Sequence, residues 1–377
     1  MGPLKDIKII EMAGIGPAPF CGMILADMGA EVISVDRITS AGRGSSADIA
    51  ARGKKSIAID IRKEEGQEII KKLISNADVL IEGFRPGVME KNNLGPDDLL
   101  KINPKLIFGR MTGWGQSGPL ANAAGHDINY IALSGVLGAI GKKDSPPPPP
   151  LNLIGDFGGG GMLLALGVCA ALNTVNKEGK GQVIDAAMTE GSALLMSMMY
   201  GMLNSGIWTD NRDSNLLDGA AHFYGCYECK DGKYVSIGSI EPQFYSLLKE
   251  KMKIDEQIFD NQMDKESWPV LRKNLETRFM DKTRDEWCEI MEGTDICFAP
   301  VLSMKEAINH KHNLERQSFF TLENVAQPSP APKFSYTNSE VKNPPVKVGT
   351  HTKEVIGSLG LINQIDELIS KKIIAQA

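Results

Sequence analysis

The chain has little of what several broad classes of protein need. Among its 377 residues, 41 Lys and Arg face 47 Asp and Glu, for a formal net charge of −6. That leaves no cationic excess to track a phosphate backbone and argues against general nucleic-acid binding. The six cysteines form no regular framework, and the chain is far too long to need disulfide stapling, which points to a reducing compartment. Cys226 and Cys229 make a lone CxxC. Asp231-Gly232 follows at once and apolar runs flank the pair, so a hairpin strand accounts for it better than a zinc or redox site. Of only five histidines, His310 and His312 sit two apart in a polar helical setting, where alternate residues share no face. No metal cofactor is expected. No apolar run reads as long enough to span a bilayer, so no membrane association is expected. MGPLKDIKIIEMAG contains neither an apolar signal core nor an Arg/Ser-rich presequence, and KIIAQA is not an SKL-type address, so the expected location is the cytoplasm.

What is present is an ordinary globular composition, 42% hydrophobic and 23% charged, with room for a real core. Over the first 115 or so residues, short apolar runs (DIKIIEM, EVISVD, SIAIDI, DVLIEGF, KLIFGRM) alternate with helical patterns such as PAPFCGMILADMGA and EEGQEIIKKLISNA. Strand and helix in turn predict an α/β fold with a parallel sheet and crossover helices. Ala13-Gly14-Ile15-Gly16-Pro17 lacks the third glycine of a dinucleotide fingerprint and carries proline after the second, so it reads as a helix start. Five prolines at 146–150 form an extended connector. Beyond it lie LNLIGDFGGGG, the run MLLALGVCAALNTV that reads as a buried helix, the strand GKGQVIDAAM and a methionine-heavy helix EGSALLMSMMYGML. The texture then changes to a hairpin, HFYGCYECKDGKYVSIGSI, and to short helices with capping boxes at Thr283/Glu286 and Ser303/Glu306. The expected organisation is a large domain over 1–200 and a smaller α+β domain over 215–325. Residues 326–377 would be a Pro-rich linker and a C-terminal segment returning to the large domain, with its last helix from Thr352.

Three acid-base candidates emerge. His126 follows Gly125, precedes Asp127 and stands at the start of an apolar helix, where the helix dipole favours the neutral imidazole that a general base needs. The alternative is a ring that caps or packs. Asp156 precedes Phe157 and Gly158, Gly159, Gly160 and Gly161. It reads as a helix N-cap, yet four glycines at about 1 kcal/mol each exceed what a cap requires and suggest close approach of backbone N–H groups to a ligand. Glu241 opens a helix in the smaller domain, a place that dipole complementation alone explains. Arg37, Arg52, Lys54, Lys55 and Arg62 are candidates for phosphate contacts if the ligand carries phosphates.

GPAPFCGMILADMGAEV, RGKKSIAID, FRPGVMEK, NPKLIFGRMTGWGQSGP, GHDINYIALSGVL, LNLIGDFGGGG and GSIEPQFY, in this order, resemble the family III CoA-transferase superfamily over nearly the whole chain. Within it, the resemblance is to the branch that racemises or epimerises the α-carbon of 2-methylacyl-CoA thioesters. The resemblance implies an interlocked homodimer, each chain with a large Rossmann-like domain and a small domain, and active sites shared between subunits. The CoA moiety would lie near Arg37, Ile59, Asp60, Ile61 and Arg62, near Gly83, Phe84 and Arg85, and near Gly125, Asp127, Ile128, Asn129 and Tyr130. Lys91 stands where relatives often carry arginine. In the transferases the aspartate matching Asp156 is a nucleophile, and the position matching His126 is typically apolar, in a GFD pattern. Here it is GHD, which supplies the second proton-transfer group that inversion at carbon needs. The implied chemistry is 1,1-proton transfer through an enolate, with His126 and Asp156 on opposite faces of the α-carbon. Backbone N–H groups near Asp156 would stabilise the thioester oxygen, and Glu241 of the other chain would orient His126. No cofactor is implied, CoA being part of the substrate. Met188, Met196, Met198, Met199 and Met202 would offer an adaptable surface to varied acyl chains, the alternative for each being core packing.

Overall fold

The structure, a computed structural model, describes residues 2–377 and divides into two compact units. The first is assembled from residues 2–134, Pro149–Leu195 and Gln317–Ala377, the second from Gly135–Pro148 and Met196–Arg316. In chain order the strands are β1 (Lys8–Met12), β2 (Glu31–Asp36), β3 (Lys54–Ile59), β4 (Val79–Glu82), β5 (Ile107–Thr112), β6 (Gln182–Ala187), β7 (Tyr224–Glu228), β8 (Tyr234–Gly238), β9 (Phe298–Val301), β10 (Phe319–Leu322), β11 (Val325–Pro328) and β12 (Ile374–Ala375). The helices used below are α1 (Pro17–Asp27), α2 (Glu64–Ile74), α3 (Val88–Lys91), α4 (Pro96–Ile102), α5 (Asp127–Leu133), α6 (Leu163–Glu178), α7 (Met188–Leu195), α8 (Ser197–Asn204), α9 (Pro242–Met252), α10 (Trp268–Phe279) and α11 (Arg284–Met291).

In the first unit one sheet runs β12-β3-β2-β1-β4-β5-β6, with β1 to β6 parallel and β12 antiparallel on β3. Its strands are apolar runs because both faces are covered. Ile10, Ile57 and Phe108 pack with Ile70 of α2 and Leu99 of α4 on one face. Ile9, Val32 and Ile81 pack with Leu25 of α1 and Val168 of α6 on the other. The helix Thr352–Ile356 docks on β3, where Thr352 Oγ1 accepts the Ala58 N–H at 3.1 Å. Strand order reverses between β1 and β4, and in such open sheets the crevice at the carboxyl ends of those two strands is where ligands bind.

The glycine-rich stretch departs from its expected form. Leu153–Met162 is π-helical and runs on into α6, so the N-cap is Asn152 and Asp156 lies one turn inside the helix. The glycines serve packing. A Cβ on Gly159 would come within 2.6 Å of Ser192 N, one on Gly160 within 2.9 Å of Met188 Cγ, and one on Gly161 within 2.6 Å of Pro17 O. Their absence lets α7 and α1 close onto the π-helical turns. Nor is α6 enclosed, because Leu164, Val168 and Leu172 face the core while Leu166 is 65% exposed. Together Leu153–Glu178 makes a 26-residue helix that, by length and composition, could cross a bilayer, contrary to the sequence expectation. Its glycine face is nevertheless committed to α1 and α7. The methionine-heavy segment is two helices, α7 and α8, broken at Met196.

In the second unit β7, β8 and β9 form an antiparallel sheet, packed with α9, α10 and α11 around Phe223, Tyr227, Trp268, Phe279 and Trp287. Cys226 lies on β7, and the Cys229 N–H closes the hairpin onto Lys233 O at 2.8 Å. Both capping boxes form. His310 caps a short helix and its Nε2 meets Glu292 Oε1 at 2.9 Å.

Candidate active site

Two adjoining cavities, of 700 and 730 Å³, open at the carboxyl ends of β1, β2 and β4 and share Ala13, Arg37, Gly83, Phe84 and Arg85 on their walls. The first is lined also by Ile59, Asp60, Ile61 and Arg62. The second brings together Gly125, His126, Asn129, Tyr130 and Asp156, segments separated by up to about thirty residues in sequence. Lys91 and Ile128 stand outside both walls, exposed, and Asp127 is turned inward and buried. Glu241 belongs to the second unit, where it is the N-cap of α9 ahead of Pro242.

Five basic residues were candidates for phosphate contacts, and the fold sorts them. Arg52 is buried against Asp27 at 2.6 Å and also bonds Gln327 and Pro328; Lys54 is buried against Glu11 at 2.7 Å; Lys55 pairs with Glu31 and Glu354. All three therefore serve the fold. Arg62 is held by Asp60 at 2.8 Å, and that bond keeps the Asp60 carboxyl below its usual range. Arg37 and Arg85 are exposed on the rim common to both cavities and have no ion-pair partner among the described residues. They are the cations left for a phosphorylated ligand.

The loop that carries Arg85 is fixed from below. Glu82, wholly buried at the end of β4, accepts the Phe84 N–H at 2.7 Å and the Arg110 Nε–H at 2.8 Å, and Arg110 in turn bonds Glu90 at 2.7 Å.

His126 is the N-cap of α5 and reaches the cavity because the chain enters that helix extended, at φ −133° and ψ 174°. Its N–H donates to Asn129 Oδ1 at 3.0 Å, so Asn129 locks the turn that presents the imidazole. Behind it, the Tyr130 hydroxyl donates to Gly125 O and its ring stacks edge-on against Trp114 at 4.8 Å. Burial, then the Asp156 charge, push the Tyr130 phenol up from its usual range.

Asp156 is half-buried. Its Oδ2 accepts from Asn152 Nδ2 at 3.0 Å, and a Cβ on Gly16, where φ is +76°, would come within 3.1 Å of the same oxygen. Burial raises the Asp156 carboxyl above the usual carboxylate range and the Asp127 charge adds to it, outweighing Asn152 and His126, which pull downward. The Asp156 N–H is not free for a ligand, as the glycine run had suggested, because it donates to Asp127 Oδ2 at 2.7 Å. Among the described residues no group of three or more His, Cys, Asp or Glu side chains is placed to hold a metal ion.

Sequence reasoning missed four contributors: Asn152, Gly16, Trp114 and Glu82. The first had a readable signal, since Asn152 and Asp156 are four apart on one helix face. Gly16 matters through Asp156, distant in the chain, and Glu82 joins the nearby Phe84 N–H to the distant Arg110.

A sequence profile of CoA-transferase family III matches residues 4–352. An alpha-methylacyl-CoA racemase of Mus musculus is 46% identical over 375 residues, covering 98% of this chain and 97% of that protein. One of Homo sapiens is 44% identical over 377 residues, with the same coverage of 98% and 97%. Among solved structures, a CAIB/BAIF family protein from Brucella suis superposes with a TM-score of 0.83 at 25% identity, over 95% of this chain and 99% of that one. The profile match and these identities over nearly the whole chain place it in CoA-transferase family III.

Proposed function

We propose that this enzyme racemises the α-carbon of 2-methylacyl-CoA thioesters by 1,1-proton transfer, with His126 and Asp156 as the two acid-base groups. The observation that carries the proposal is their presence on the wall of one cavity, where burial raises the Asp156 carboxyl above the usual carboxylate range. Two acid-base groups on one cavity wall can exchange the roles of base and acid between the two enantiomers. With His126 neutral and Asp156 protonated, the imidazole takes the α-proton of one enantiomer, the electron pair passes into the enolate, and the Asp156 carboxyl protonates the opposite face. The enzyme is left with imidazolium and carboxylate, which is the state that processes the other enantiomer. Similarity to the two racemases supports this choice within the family.

The adenosine and phosphate end of CoA is assigned to the first cavity, with Arg37 and Arg85 on its rim. Homodimerisation is part of the proposal, and it is supported by large apolar side chains left exposed on the first unit, Leu133 at 61% and Leu166 at 65%. In that arrangement Glu241 of the other chain would orient His126.

A single enantiomer of a 2-methylacyl-CoA incubated in D₂O tests the chemistry. Racemisation with α-deuterium incorporation is expected, together with its loss in His126→Ala. Wild-type rates in His126→Ala would overturn the roles. Transfer of CoA to a free carboxylate, with hydroxylamine trapping Asp156 and no deuterium at the α-carbon, would instead identify a CoA-transferase that uses Asp156 as nucleophile.

A further inference from the structure

Asp127 is adjacent to His126 in sequence but does not share its cavity. It is 5% exposed, its Oδ2 accepts the Asp156 N–H at 2.7 Å, and its Oδ1 is enclosed with no hydrogen-bond partner among the described residues. The neighbouring helix makes room for the group, since a Cβ on Gly155 would fall 2.6 Å from Asp127 Oδ2. A buried carboxylate with one oxygen unsatisfied costs more than an amide or an apolar side chain in the same space, so the fold alone gives no reason for the charge. Its geometry does. The backbone of Asp127 begins α5, which His126 caps, while its side chain holds the π-helical turn that carries Asp156.

We propose that Asp127 is a positioning residue for the inversion: its carboxylate clamps the Asp156 N–H and so fixes Asp156 opposite the His126 that the same dipeptide presents. The inference rests on the proton-transfer reading above and adds a specific requirement to it. Removal of an α-proton needs one well-placed base, but inversion needs the second group in line on the far face. A small displacement of Asp156 should therefore spare deuterium exchange and impair inversion, because misplacement by about 1 Å can cost on the order of 100-fold in rate.

The test compares Asp127→Ala and Asp127→Asn with the wild-type enzyme in D₂O, following α-deuterium incorporation and inversion separately from each pure enantiomer. In Asp127→Ala the clamp is lost. The ratio of inversion to exchange is expected to fall by at least about tenfold from the enantiomer that His126 deprotonates. Asp127→Asn retains an oxygen acceptor for the N–H and loses only the charge, so most of the ratio should return. Asp156 is faced by His126, Asp127 and Tyr130, and only Asp127 changes in that variant. Loss of a neighbouring negative charge should thus move the Asp156 limb of the pH–rate profile to lower pH. A folded Asp127→Ala enzyme with the wild-type ratio overturns the inference, and so does Asp127→Asn with an unmoved limb, a measurement that stands even if the alanine variant does not fold. Failure of the underlying reading looks different: the wild-type enzyme itself would then neither invert nor exchange.

Discussion

Residues 52–55 and the shared rim of the two cavities both carry cations, and the fold uses them in opposite ways. Lys54 and Arg52 are buried beside Glu11 and Asp27, charges supplied by β1 and α1, and they join chain segments that meet only in the folded protein. Arg37 and Arg85 sit in the loops that follow β2 and β4, face solvent, and hold no carboxylate. The lesson is that charge beside a strand end identifies a ligand contact only once the internal partners have been accounted for. The glycines divide in the same manner. Those at 159–161 let helices touch, whereas Gly16 leaves room at Asp156.

The contrast can be broken by substitution. Lys54→Ala strands the Glu11 carboxylate, whose proton affinity burial already raises, and should cost about 3–5 kcal/mol in denaturant unfolding. A stability equal to wild type would move Lys54 out of the structural group. Next in size, Gly159→Ala forces a methyl against Ser192 N and should cost about 1–3 kcal/mol. The matched change Gly158→Ala, whose nearest contacts lie at 3.2 Å, should stay within about 1 kcal/mol of wild type. Equal penalties at the two positions would remove the packing explanation. The smallest effect on the fold belongs to Arg85→Ala, with a melting temperature unchanged and KM for an acyl-CoA raised about tenfold, as befits loss of one charge-assisted contact. The increase should shrink at high salt. A lowered melting temperature with unaltered KM would place Arg85 with Lys54.

Much of this was legible in the sequence for identifiable reasons. Strands buried on both faces cannot alternate polar and apolar residues, so EVISVD and KLIFGRM could be read directly. Asp156 was legible because four successive glycines are conspicuous, although they serve contacts with α1 and α7 and leave the backbone N–H of Asp156 to Asp127. Partners of Arg52 and Lys54 were not legible, since Asp27 lies 25 and Glu11 43 residues away and no local pattern announces them. The π-helical turn was equally hidden, because propensities do not separate its register from that of an α-helix. Asp127 was counted among the ligand contacts because the motif that carried it was read as a unit, whereas successive residues at a helix start point in different directions.

The three-segment composition of the first unit has a consequence for synthesis. Its core includes Val355, Ile356, Leu361, Leu368 and Ile374, which leave the ribosome after every residue of the second unit. During translation the second unit can close around its own core while the seven-stranded sheet still waits for its antiparallel edge strand β12 and the C-terminal helices. The nascent first unit therefore exposes apolar strands for as long as the ribosome takes to make the intervening chain, the interval in which chaperones would matter most.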